Sequence, residues 1–234
     1  MKKKGGLILS IVLLCISAYS QIQIGLKGGY TFLSCSDWND YGTDKYTTPQ
    51  PSYFFSVFAR QRKPKLFNLG LEIEYSHNFL HVTSNIRRTI YSYSLEDFNL
   101  SSNYIKALIQ PQFTFGTRFK FFINPGVFFG FTINSKIQGY FANYEWDSLV
   151  YYDYSDGPVH GHISDFEFGF LVGAGTDIPL YHGFTIVLEF MQTLTFPPIQ
   201  NSWGYGKGIL LFETRFSGGI GYNIPVKKKK RGIN

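Results

Sequence analysis

Apolar and polar positions alternate along most of this chain with a period of two. From Phe67 to Asn78, Phe67, Leu69, Leu71, Ile73 and Tyr75 share one parity, and Asn68, Gly70, Glu72, Glu74 and Ser76 share the other. Successive side chains of an extended chain point to opposite faces, so the segment predicts a strand with one apolar and one polar face. The pattern recurs between Asp165 and Ile178, where Phe166, Phe168, Phe170, Val172, Ala174 and Ile178 oppose Asp165, Glu167, Gly169, Gly173, Gly175 and Asp177. About eight such segments can be laid out by alternation. They run near 22–34, 52–62, 66–81, 102–116, 119–135, 163–179, 184–195 and 208–224. The second and seventh are less clean, with Phe54 and Phe58, and Val187 and Met191, falling on the polar side.

The apolar face is large and aromatic, while the other combines carboxylates with glycine. A closed cylinder with hydrocarbon outside and a polar filling inside requires that combination. The expected fold class is therefore all-β, a transmembrane up-and-down antiparallel β-barrel of about eight strands with a polar, filled lumen. The connections agree. Long ones near 35–51, 82–101, 136–162 and 196–207 alternate with short ones at Lys63–Lys65, Thr117–Arg118 and Leu180–Gly183. With both termini periplasmic, odd connections lie outside the cell and even ones are tight periplasmic turns. Pro111 and Pro125 fall inside the fourth and fifth strands. Each removes a ladder donor, so a bulge or bend is expected at both.

Composition sharpens this reading. Aromatic residues make up 19% of the chain and charged ones 16%, which suits a lipid-facing band with interfacial girdles. A mean hydropathy of -0.08 averages a greasy face with a wet one and so does not report on the membrane. Residues 1–20 carry Lys2, Lys3 and Lys4, an apolar run from Leu7 to Ile16, and Ala18-Tyr19-Ser20. They read as a secretory signal peptide cleaved before Gln21. Cys15 follows Leu14 where a lipobox needs a small residue, so no lipid anchor is expected. Cys35 then stands alone and no internal disulfide can form. The barrel domain is placed at 21–226 and a basic tail at 227–234. The net charge of +6 comes mainly from these two ends. No strand carries a basic stripe interleaved with aromatics, which argues against a nucleic-acid partner.

A barrel of about eight strands has a lumen only wide enough for side chains. The inner positions carry Lys27, Lys106 and Arg215 together with Glu72, Glu74, Glu167, Glu189 and Glu213. Buried charges persist when paired, so these residues are expected to form a salt-bridged structural filling. Glu213 and Arg215 occupy adjacent inner positions of the closing strand. The third long connection holds Tyr140, Tyr144, Trp146, Tyr151, Tyr152 and Tyr154, then His160-Gly161-His162 and Asp165. Tyr140 and Phe141 are expected to anchor the barrel rim among headgroups. His160, His162 and one carboxylate do not complete a metal site. No nucleophile, base and orienting acid stand at a recognisable spacing. No cofactor, metal or catalytic residue is therefore assigned. The Gly28-Gly29 and Gly218-Gly219 pairs precede no helix and read as thin spots where strands curve.

With the strands laid out, the chain resembles the PorT-like outer-membrane barrel proteins of Bacteroidetes-type bacteria. The residues that carry the resemblance are Ile24 to Tyr30, Leu69 to Tyr75, Tyr104-Ile105 through Pro111, Phe121 to Gly126, Phe168-Gly169 through Gly173-Ala174-Gly175, and Gly219 to Tyr222. It implies an outer-membrane barrel of this size and a link to protein secretion or envelope assembly, and it carries over no catalytic residue. Such barrels tend to end on an aromatic residue, whereas this chain continues past Tyr222 to Lys227-Lys228-Lys229-Lys230-Arg231. The expectation is a monomer in the outer membrane, with lipid and lipopolysaccharide around it and protein partners reached through its outer loops. Two other readings remain at this stage: a secreted lipocalin-like barrel with its apolar face turned inward around a small ligand, and an outer-membrane enzyme.

Overall fold

The computed structural model describes residues 21–35, 43–62, 67–89, 92–117, 119–146, 148–158, 165–196 and 211–224. The segments read as a signal peptide (1–20) and as a basic tail (227–234), together with His160 and His162, lie outside the described residues. Ten strands follow in order: β1 (Gln21–Cys35), β2 (Thr43–Pro49), β3 (Pro51–Arg62), β4 (Phe67–Thr89), β5 (Ser92–Phe115), β6 (Lys120–Glu145), β7 (Ser148–Pro158), β8 (Phe166–Pro179), β9 (Phe184–Phe196) and β10 (Leu211–Ile224). Eight of them, β1, β3, β4, β5, β6, β8, β9 and β10, pair antiparallel in chain order, and β10 returns to β1 to close the ring. Closure leaves the ring no free edge, and every backbone donor and acceptor can be met within the sheet.

Cross-strand partners fix the stagger of that ring. From Asn103 on β5 the line runs through His77, Tyr53, Tyr30, Phe216, Phe190, Ala174 and Ile123, and returns to β5 at Phe113. The shear is thus ten residues (113 less 103) for eight strands. With a rise of about 3.3 Å per residue and about 4.8 Å between strands, the strands tilt by about 40° and the barrel radius is about 8 Å, room for side chains only.

The faces sort as the alternation requires. Leu26, Ile73 and Phe168 point outward at 64%, 62% and 47% exposure, while Lys27, Glu72 and Glu167 point inward at 4%, 3% and 2%. An exterior this apolar is compatible with hydrocarbon and not with water. The lipocalin-like reading needs the opposite orientation and is overturned by it.

Three expectations require correction. The described residues of the segments near 82–101 and 136–162 are almost all strand and not loop. β4 and β5 stay paired out to Thr89 and Ser92, β5 pairs with β6 from Ser92↔Glu145 down, and β6 pairs with β7 from Lys136 to Glu145, so two hairpin arms joined edge to edge rise as one sheet from one end of the barrel. The predicted first loop likewise contains β2, which pairs with β4 and continues the line of β3. Alternation is weaker in these parts because neither face of an arm meets hydrocarbon.

Nor do the prolines make bulges. The β5–β6 ladder runs as far as Ile109↔Val127 and resumes at Phe113↔Ile123, so Pro111 stands opposite Pro125 in unchanged register. Both missing donors fall on one rung, so the β4–β5 and β6–β8 ladders retain Leu69↔Pro111 and Pro125↔Val172. The bulge lies elsewhere. Tyr104 pairs with Thr132 but Asn103 with Asn134, which leaves Ile133 as the extra residue. One inserted residue exchanges the faces: Phe128 is buried below it and Ile137 above it.

The third correction concerns the filling, which is not wholly polar. Leu33, Leu80, Val82, Phe98 and Ile137 form an apolar layer at the arm end, Leu108, Phe128, Leu171 and Met191 a second, and Phe58, Phe122 and Val187 a third. Glycines on the inner wall make room for the rings. A Cβ on Gly25 would lie 2.5 Å from the Phe58 ring, and one on Gly175 would lie 2.4 Å from that of Phe122. The two glycine pairs noted in the sequence meet at the closing seam, where Gly28 faces Gly218. At the opposite end from the arms the turns are tight. Gly116 at φ +97 sits where a Cβ would lie 2.2 Å from the Phe119 carbonyl oxygen, a position only glycine fills without strain.

Candidate functional site

Alternation sends every second residue of each ring strand inward, so charges distant in sequence meet in the lumen. They form two clusters. Nearer the turns, Lys27 bonds Glu189 and stands 2.8 Å from Glu72, Arg60 lies 3.6 Å from Glu189 and 3.8 Å from Asp177, and Arg62 reaches Asp177 at 2.6 Å. The Arg62 guanidinium also donates to Gln23 Oε1 at 2.8 and 3.1 Å. Nearer the arms, the Lys106 ammonium holds Glu213 at 2.7 Å and Glu167 at 3.0 Å, and Arg215 joins Glu213 to Glu74, the latter at 2.6 Å. All eight residues named from the sequence, Lys27, Glu72, Glu74, Lys106, Glu167, Glu189, Glu213 and Arg215, are buried in these two clusters.

The lumenal charges named from the sequence left out Arg60, Arg62 and Asp177, although Asp177 had been placed on the polar face. The signal for two of them was present: Arg60 shares the parity of Phe58, already assigned inward, and Asp177 that of Gly175. Arg62 continues the same face at the strand end.

The buried set comprises five cations (Lys27, Arg60, Arg62, Lys106, Arg215) and six carboxylates (Glu72, Glu74, Glu167, Asp177, Glu189, Glu213). Each carboxylate has a cation within ion-pair distance. Aromatic rings supply further stabilisation by offering their negative faces. Arg60 lies 4.6 Å from the Phe58 centroid and 4.9 Å from that of Phe122, Lys106 lies 5.2 Å from Tyr104 and from Phe128, and Arg215 lies 5.3 Å from Phe54. An isolated charge would be untenable here, and this mesh of pairs ties seven of the eight walls of the cylinder together, with β6 joined through the Asn124 amide, which donates to Glu189.

The arms have the opposite character. On β7, Leu149, Val150, Tyr151, Tyr152 and Tyr154 are all more than half exposed, so neither face is packed. The arms are stiffened by stacked rings, Tyr93 on Tyr144 at 4.7 Å and Tyr140 on Tyr152 at 5.9 Å. Tyr140 is therefore part of an arm and not of the barrel rim, contrary to expectation, and the Phe141 side chain lies outside what is described. Trp146 sits at the tip with φ 52 and 71% exposure. At the base of the arm Lys136 bonds Asp156 at 2.7 Å, and this hydrogen bond and charge hold the Lys136 ammonium above its ordinary range.

A protein-family model agrees with this architecture. Residues 17–195 match the family model described as outer membrane protein beta-barrel domain. Solved structures similar to the chain include Neisserial surface protein A, at 11% identity and TM-score 0.47, covering 87% of this chain and 97% of that one. Ail, the attachment invasion locus protein of Yersinia pestis, is 8% identical with TM-score 0.44, covering 87% and 99%. OprG from Pseudomonas aeruginosa is 12% identical with TM-score 0.43, covering 89% and 98%. No curated protein sequence matches the chain.

Proposed function

The chain belongs to the outer membrane β-barrel domain family, and we propose that within the outer membrane it is a filled, non-conducting barrel that works as a scaffold, displaying its two arms to a partner outside the cell. The leader at 1–20 exports it, both termini face the periplasm, and the β4–β5 and β6–β7 arms face outward. One observation carries this reading: the lumen is occupied along its length by ion pairs and three apolar layers, while β7 and Trp146 expose large side chains beyond the barrel. A filled lumen offers a solute no path, and exposed Trp and Tyr are the side chains that contribute most at protein interfaces. The likeness to PorT-like barrels supports a role in protein secretion or envelope assembly. The barrel acts as a monomer.

Epitope insertion tests the reading. A tag between Trp146 and Ser148 is expected to bind antibody on intact cells, and a tag in the Leu180–Gly183 turn only after permeabilisation. Purified barrel in planar bilayers is expected to give no steady single-channel current. The reverse labelling pattern, or stable conductance, overturns the proposal.

A further inference from the structure

The lipid-facing surface is not uniformly apolar. Allowing for a stagger of ten residues per circuit, the height of Asn103 is marked on neighbouring strands by outward rings: Tyr53 on β3, Phe32 on β1, Phe212 on β10, Phe196 on β9, and Phe166 and Phe131 on β8 and β6. That belt is the interfacial girdle at the arm end. On β4 and β5 it gains polar members: His77 stands between the rings of Tyr75 and Phe79, and Asn103 lies directly above Ile105.

These side chains form a connected outer patch. The Tyr75 hydroxyl donates to Asn103 Oδ1 at 2.9 Å, His77 Nδ1 bonds the same oxygen, and the Asn103 amide donates to Asn134. One step further up, His81 Nδ1 lies 3.0 Å from Asn99 Oδ1. Beside the amides a ring shelf is built by Tyr53 and His77 at 5.1 Å and by His77 and Phe79 at 4.4 Å.

We infer that this patch on β4, β5 and β6 binds the saccharide part of an outer-leaflet glycolipid. The inference rests on the outward orientation of the arms proposed above. Amides, imidazoles and a phenol both donate and accept, as a polyol demands, and ring faces suit the apolar side of a sugar. Phosphate recognition would instead require Arg or Lys. Among the described side chains around the patch the permanent cation is Lys136, and it is tied to Asp156 at 2.7 Å. Asp97, 3.8 Å from His81 Nε2, would repel phosphate and accept from a hydroxyl.

The test uses full-length barrel in a sugar-free detergent and native mass spectrometry with three probes: a bacterial glycolipid, the same glycolipid with its phosphates removed, and phosphatidylethanolamine. Both glycolipids are expected to remain bound and phosphatidylethanolamine to be lost. His77→Leu/Asn103→Leu, which makes these two positions of the girdle apolar, is expected to weaken retention of both glycolipids by about tenfold or more, with heat-modifiable gel mobility showing the barrel intact. Alkyl maltoside is expected to compete. Retention that depends on the phosphates, equal retention of phosphatidylethanolamine, or an unaffected double variant overturns the inference. Binding in detergent is independent of orientation, so a failure of the epitope-labelling experiment is read separately.

Discussion

Removal of the Arg215 guanidinium probes the lumen most directly. Arg215 is 3% exposed, bonds Glu213, and stands 2.6 Å from Glu74. In Arg215→Met, Glu213 keeps Lys106 at 2.7 Å and the Thr193 hydroxyl at 3.2 Å. Glu74 keeps no ion-pair partner among the described residues. The buried carboxylate surplus rises from one to two. Stranding a buried carboxylate in this way is expected to cost about 3–5 kcal/mol. Arg215→Met/Glu74→Gln removes the stranded charge and returns the surplus to one, and is expected to recover about 2 kcal/mol or more of that loss, a non-additive coupling. The assay is equilibrium urea unfolding of barrel refolded into micelles, followed by tryptophan fluorescence and by heat-modifiable mobility. A single variant within about 1 kcal/mol of the wild type, or a double variant whose loss is the sum of the two singles, refutes the ion-pair reading of the lumen.

Three further outcomes follow from the geometry. Gly169→Ala places a Cβ 2.5 Å from the Phe128 ring and 2.2 Å from the Leu194 carbonyl oxygen, and is expected to destabilise by about 1–3 kcal/mol in the same titration. Gly218→Ala, whose Cβ finds Leu188 at an ordinary 3.7 Å, is expected to stay within about 0.5 kcal/mol of the wild type. Deletion of Ile133 removes the bulge, and the shortened strand then alternates without interruption, with Ile137 still inward and Lys136 still outward. Limited proteolysis is expected to find the β6–β7 arm as resistant as in the wild type, with heat-modifiable mobility kept; an arm cut faster than in the wild type refutes the assigned face exchange.

The strands of the ring were legible because hydrocarbon and lumen impose opposite chemistries on adjacent residues. Phe166 to Asp177 records both in an alternation interrupted only at Leu171 and Thr176. The arms were read as loops because beyond the membrane that contrast is lost, and Leu149 to Tyr154 carry no alternation even though they are paired strand. Arg60 and Asp177 lay within reach of parity, but an arginine two residues beyond a phenylalanine gains meaning only when its carboxylate, more than a hundred positions away, is known to face it.

By itself the sequence determined the class of fold, the outward face and the inward address of most lumenal charges, since a period of two in an extended chain leaves each side chain only two directions. The tertiary structure alone decided which charges pair, that Pro111 faces Pro125 across one rung, and that Ile133 exchanges the faces of β6. Those depend on register between strands, and register arises only when the ring closes with a particular stagger.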